Sequence, residues 1–195
     1  AGFVWRQAAG ALQDYRGCDV PGVPSTWENV DFNSNSTFNL NPDLLNITRT
    51  DGSDYMRVVY EFSSGGNARV ATRKRVGDVW GAETIIHTEA AAGSFLLHPT
   101  LLKLPSGRLL VFYLVYDTEI VGNPVAQLQM KYSDDEGSTW ITGARYALTD
   151  PLNTAIHQIE RVRCAYKDGQ ILVVMHSKNQ TAAFEDVLLQ FASDD

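Results

Sequence analysis

Residues Ser133 to Trp140, SDDEGSTW, put three consecutive carboxylates, three hydroxyls, a glycine and a tryptophan within one turn's length. Acidic groups so close together could hold calcium. The stretch lacks the Asp-x-Asp-x-Asp-Gly ladder and the closing glutamate of a calcium loop, so no metal site is expected. The same residues can instead build a chain corner. Asp135 can accept backbone N–H groups of its own turn. Gly137 permits a positive φ without a Cβ clash. Trp140 can bury its ring beneath the turn. On this reading Ser133, Asp135, Gly137, Thr139 and Trp140 have a structural role.

Other reactive residues are few. Of the two cysteines, Cys164 lies in RVRCAY, where Val162, Cys164 and Tyr166 share a strand face. It is either a buried free thiol or the partner of Cys18, and the spacing gives no disulfide framework. Asn35, Asn46 and Asn179 each open an Asn-x-Ser/Thr triplet beside polar or turn-like sequence, which favours a secreted, glycosylated chain. The net charge of −7 argues against a nucleic-acid partner. No apolar run reaches the length of a membrane span, and the longest, LLVFYLV from Leu109 to Val115, has that of a buried strand. The start, AGFVWRQAAG, lacks the basic opening and long apolar middle of a secretory signal.

The elements that must position these residues are strands. Runs of Val, Ile, Leu, Tyr and Phe alternate with Gly, Asp, Asn and Pro, and no long segment keeps a helical period. Residues 1–40 are rich in turn formers and read as irregular. A period then emerges. Trp80 and Trp140 lie 60 residues apart, and the turn glycines Gly107 and Gly169 lie 62 apart. Each unit reads as strand, tight turn, strand, longer loop, strand, tight turn, strand, the pattern of a β-propeller blade. RLLVFYLVY is apolar on both faces, as a strand between neighbouring blades requires. AQLQMKYS alternates, as a strand nearer the rim should.

The spacing Ser-x-Asp-x-Gly-x-Thr-Trp resembles the Asp-box, or BNR repeat, of sialidase-like propellers, and Ser133, Asp135, Gly137, Thr139 and Trp140 match every specified position. A degenerate copy in RKRVGDVW keeps Gly77 and Trp80. The resemblance implies an all-β fold: a β-propeller of four-stranded antiparallel blades, six-bladed when complete. About two and a half blades are expected here, at 41–95, 96–152 and a truncated 153–195, after the irregular segment. The same polypeptide or another chain would supply the remainder. The box is expected on the outer hairpin, away from the active centre.

In sialidase-like enzymes, three arginines, a Tyr–Glu pair and an Asp gather at the mouth of the central funnel. The resemblance implies a glutamate eight residues before an Asp-Gly turn, and Glu160 stands at that offset from Asp168-Gly169. It is the candidate catalytic residue. His98, nine residues ahead of Gly107, takes the corresponding place in the preceding unit and should sit at the same height, one blade away. Arg161 and Arg163 could flank an acidic sugar, pair with Glu160, or form a solvated face. His176 stands where an arginine is expected, and His157 reads as a loop residue. Tyr15 and Arg16 only echo the family's N-terminal arginine motif, so no arginine triad assembles. HPTLLKLPSGRLLVFY followed by LQMKYSDDEGSTW also resembles exo-arabinanase-like propellers, which lack those arginines and work with paired carboxylates.

The missing arginines favour an extracellular propeller with a structural, assembly or glycan-binding role and no catalysis. The alternative is a sialidase-like exo-glycoside hydrolase with Glu160 as one active-site carboxylate and His98, Arg161 and His176 as ligand-binding residues. No cofactor is expected. The expected partner is a glycan or a neighbouring protein chain, and fold alone does not decide between them.

Overall fold

The computed structural model describes residues 2–6, 13–17, 30–31, 38–49, 51–77, 79–90, 94–116, 126–147, 158–178 and 184–192, with side chains described over 41–49, 51–77, 79–90, 94–116, 127–146 and 161–175. Among them there are strands, turns and bends and no helix. The strands form four antiparallel sheets. The first holds β1 (Gly2–Arg6), β2 (Gln13–Gly17) and β3 (Val30–Asp31). The second holds β4 (Phe38–Thr48), β5 (Asp54–Ser64) and β6 (Asn67–Val76), with β7 (Val79–Trp80) and β8 (Thr84–Glu89) both paired to β6. The third holds β9 (Phe95–Lys103), β10 (Leu109–Tyr116), β11 (Ala126–Ser133) and β12 (Ile141–Ala147). The fourth holds β13 (Gln158–Lys167), β14 (Gln170–Lys178) and β15 (Phe184–Ala192).

Two features differ from the expectation of uniform four-stranded units. Residues 1–40, read as irregular, contain the three strands of the first sheet. These are short, and turn formers surround them, so their alternation is hard to see. The second sheet is also irregular at its rim. Gly77, at φ +57°, turns the chain after β6, and two short strands share that edge in place of one full strand.

Each sheet begins with its innermost strand, and β1, β4, β9 and β13 lie side by side in that order. The sheets therefore fan outward from a shared hub in an open arc. Their packing explains the run LLVFYLVY. All eight residues of β10 are buried. Leu109, Val111, Tyr113 and Val115 enter a core shared with the second sheet, beside Ile47, Tyr55, Val59 and Val70. Leu110, Phe112, Leu114 and Tyr116 enter a core shared with the fourth sheet, beside Val162, Ile171, Val173 and Met175. A strand with two dry faces needs apolar side chains at every position. Each large one contributes roughly 1.5–3 kcal/mol when taken fully out of water.

Candidate functional site

Three innermost strands are broken by a bulge, and the bulges fall in one register. In β4, Leu40 pairs with Glu61 and Asp43 with Val59, so Asn41 and Pro42 together face Tyr60. In β9, Leu97 pairs with Leu114 and Thr100 with Phe112, so His98 and Pro99 together face Tyr113. In β13, Ile159 pairs with Ser177 and Arg161 with His176, so Glu160 is the extra residue. Proline lacks the N–H that a regular ladder needs, and a bulge is one of the few places where a strand tolerates it. Asn41 and His98 take left-handed backbone at φ +48° and +55°. Such geometry is costly for a residue with a Cβ, and it persists only where surroundings hold it. Asn41, His98 and Glu160 thus occupy matching positions on three adjacent strands of the hub.

Two carboxylates of the second sheet hold the β9 bulge. Glu61 is a buried residue of β5, 2% exposed. It accepts a hydrogen bond from the Asn41 side-chain amide at 2.9 Å and another from the His98 backbone N–H. Asp43, just past the β4 bulge, accepts the Thr100 hydroxyl at 2.8 Å and the Leu101 N–H at 2.9 Å. An innermost strand has a free backbone edge, and a bulge disrupts the ladder further, so these N–H groups need acceptors from elsewhere. The Thr100 hydroxyl also lies 3.5 Å from the Cys164 sulfur, which links β9 to β13. Cys164 is a free thiol whose pKa burial pushes up to about 12, so it stays protonated at neutral pH. Cys18 lies outside the described residues.

Behind the bulges stand two buried tyrosines. The Tyr113 hydroxyl meets His87 Nδ1 at 2.9 Å, and the Tyr60 hydroxyl donates to Glu83. Burial raises both phenol pKa values, so both rings remain neutral. Burial, then Lys131 and Arg145, lower the His87 pKa to about 4, so the imidazole is uncharged at neutral pH. Each bulge of β4 and β9 therefore faces a neutral, hydrogen-bonded tyrosine of the next strand.

Of the other residues nominated from sequence, Arg161 follows Glu160 and is exposed, and the Arg163 guanidinium binds the carbonyl of Val162. His176 faces Arg161 from β14. The side chains of Glu160 and His176 lie outside the described set, as do those of Tyr15 and Arg16 and the whole of His157. Asn46 is exposed on β4, whereas Asn35 and Asn179 are not described. Glu61 and Asp43 are the site residues that sequence reasoning missed. A signal for the bulges was present: Asn41-Pro42 and His98-Pro99 each stand two residues before a Leu-Leu pair.

The corner at 133–140 joins β11 to β12, the outer strands of the third sheet. Asp135 accepts the Thr139 N–H at 2.9 Å, the Thr139 hydroxyl at 2.6 Å and the Ser133 hydroxyl at 2.7 Å. These bonds, those of Thr139 first, hold its pKa well below the usual carboxylate range. The Ser133 hydroxyl accepts the Gly137 N–H at 2.7 Å, and the Trp140 indole donates to the Gly137 carbonyl at 3.2 Å. The Trp140 ring packs on the core between the second and third sheets. Glu136 reaches across to the second sheet. Its carboxylate accepts from Arg49 at 2.7 and 2.8 Å and from Lys74 at 2.5 Å, while its carbonyl accepts from Arg57. The corner is thus both a hairpin clasp and a tie between sheets.

No family model and no curated protein matches the chain. Solved structures do. An α-L-arabinanase from Penicillium chrysogenum, complexed with arabinobiose, is 17% identical with a TM-score of 0.56, over 80% of this chain and 46% of that one. A GH93 α-L-arabinofuranosidase of Fusarium graminearum with arabinobiose is 15% identical with a TM-score of 0.56, over 83% and 48%. A thermostable family-43 glycoside hydrolase is 11% identical with a TM-score of 0.54, over 100% and 72%. The chain spans about half the length of the first two. At these identities the likeness is one of fold: antiparallel sheets arranged as in propeller glycoside hydrolases.

Proposed function

We propose that this chain forms part of a propeller glycoside hydrolase that acts at the hub on neutral, arabinose-containing glycans, with Glu160 as one active-site carboxylate. The observation that carries this reading is the common register of the three bulges. It sets a carboxamide, an imidazole and a carboxyl residue at one level of three adjacent strands. The solved structures that share the fold include two with arabinobiose, which supports the sugar class. Glycoside hydrolysis needs paired carboxylates on either side of the scissile bond. Asp43 and Glu61 bring acidic groups to the same hub. A carboxylate-bearing sugar suits it less, because the bulges of β4 and β9 carry no arginine and that of β13 carries one, the exposed Arg161 beside Glu160, so these three bulges assemble no arginine clamp. In this reading the corner at 133–140 is an Asp-box with a structural role, and the exposed Asn46 carries a glycan in a secreted protein.

The test uses the full polypeptide that contains this chain, assayed on arabinan, arabinobiose and sialosides. Release of arabinose is expected, with Glu160→Gln lowering kcat by roughly 10²–10⁴ at an unchanged denaturation midpoint. Loss of the reading follows if the wild-type protein cleaves none of these substrates, or if Glu160→Gln leaves kcat intact. One observation favours a second reading, glycan binding without catalysis. Asp43 and Glu61 already accept protein donors, so neither is a bare catalytic group. Binding of arabinobiose without turnover would select it.

A further inference from the structure

We propose that Glu61 is a positioning residue for this site, locking the bulges of β4 and β9 into the left-handed form that presents Asn41 and His98 to a bound sugar; the inference rests on the glycan-site reading above. Its two oxygens serve different strands. Oε1 takes the Asn41 side-chain amide at 2.9 Å, and Oε2 takes the His98 backbone N–H. Both donors belong to residues held at positive φ, +48° and +55°, where a Cβ is disfavoured. One carboxylate thus braces two strained bulges, one in its own sheet and one in the next. Strain of this kind requires surroundings that over-determine it. At 2% exposure the Glu61 carboxylate has little access to water, so its acceptor capacity is directed to these protein donors. Asp43 secures the far side of the β9 bulge through Thr100 and Leu101, but touches neither left-handed residue's N–H in this way. Glu61 is therefore the group whose chemistry decides whether the two bulges hold one geometry together.

The requirement is for an acceptor toward the His98 N–H and a polar partner for Asn41. Glutamine could meet both, because the Asn41 carboxamide can turn its oxygen toward an NH₂; leucine can meet neither. In the full polypeptide, Glu61→Leu should lower kcat/KM for arabinobiose at least tenfold. Much of the loss should sit in KM, because His98 and Asn41 are displaced from the sugar. Glu61→Gln, which keeps an acceptor for the His98 N–H, should recover part of it. A Glu61→Leu protein with wild-type KM and kcat would overturn the proposal. A readout free of activity tests the brace itself: the His98 amide proton of the wild-type protein. It should resist hydrogen exchange although it lies outside the β9–β10 register, and it should lose that protection in Glu61→Leu. Exchange at the rate of exposed edge amides in the wild type would refute the brace, whatever the enzyme assay shows. A protected amide in a protein inactive on all the sugars would instead remove the functional reading and leave the brace standing.

Discussion

The hub and the corner at 133–140 solve the same backbone problem in opposite ways. Each puts residues with a Cβ into left-handed backbone: Asn41 and His98 at the hub, Glu136 at the corner. The corner meets its own needs first. Asp135 gathers donors from Ser133 and Thr139, all within four residues, and only afterwards does Glu136 reach out to the second sheet. The hub borrows. The His98 N–H goes to a carboxylate 37 residues away, and the Leu101 N–H to one 58 residues away. A motif whose principal bonds are internal can be altered with less effect on the neighbouring sheets. A borrowed one carries any change from sheet to sheet. Polar groups that hold strained backbone at a hub are therefore the better candidates for function, and those at the rim for stability.

This contrast can be broken at the corner first, where the largest effect is expected. Gly137 has φ +83°, and a Cβ there would come 2.6 Å from Arg57 Cζ. Gly137→Ala combines backbone strain with displacement of the Arg57 guanidinium and should cost about 1–3 kcal/mol in urea denaturation. The kinetic constants of molecules that remain folded should be unchanged. A fall in kcat without a fall in stability would place the corner in the site. Asp135→Ala comes next, since it orphans the Thr139 N–H and both hydroxyls in a partly solvated turn. A smaller drop in denaturation midpoint is expected, again with activity intact. The pH dependence is the finest probe. Arg49 and Lys74 lower the Glu136 pKa to about 2, below its ordinary 4.5. A depressed carboxyl contributes its stability above the unfolded pKa and loses it as pH falls toward the folded one. Stability should therefore decline between about pH 4.5 and 2, and Glu136→Gln should flatten that slope. Because this pair is partly exposed, added salt should shrink the effect.

How much of this was legible in the sequence follows the same division. The corner could be read at once, because Ser133, Asp135, Gly137, Thr139 and Trp140 make their principal bonds to one another. The buried strand Leu109–Tyr116 could be read because two dry faces demand an unbroken apolar run. The first sheet was missed because β1, β2 and β3 are only five, five and two residues long. The spacing to the next turn picked out His98 and Glu160. It gave no hint of Glu61, which sits inside the apolar run VVYEF and looks there like a stray rim charge. Its role depends on Asn41 and His98 arriving from two other strands, and no local pattern encodes that meeting. Tie residues such as Arg49 and Lys74 are hidden for the same reason: their partner, Glu136, lies 87 and 62 residues away.

The most direct measurement is a titration of the full polypeptide with arabinobiose, followed through its backbone amide resonances. The amides around Asn41, His98 and Glu160 should shift together along one saturating curve, while those of 133–140 stay still. Shifts confined to the corner, or absent from the three bulges at saturating sugar, would contradict a glycan site at the hub.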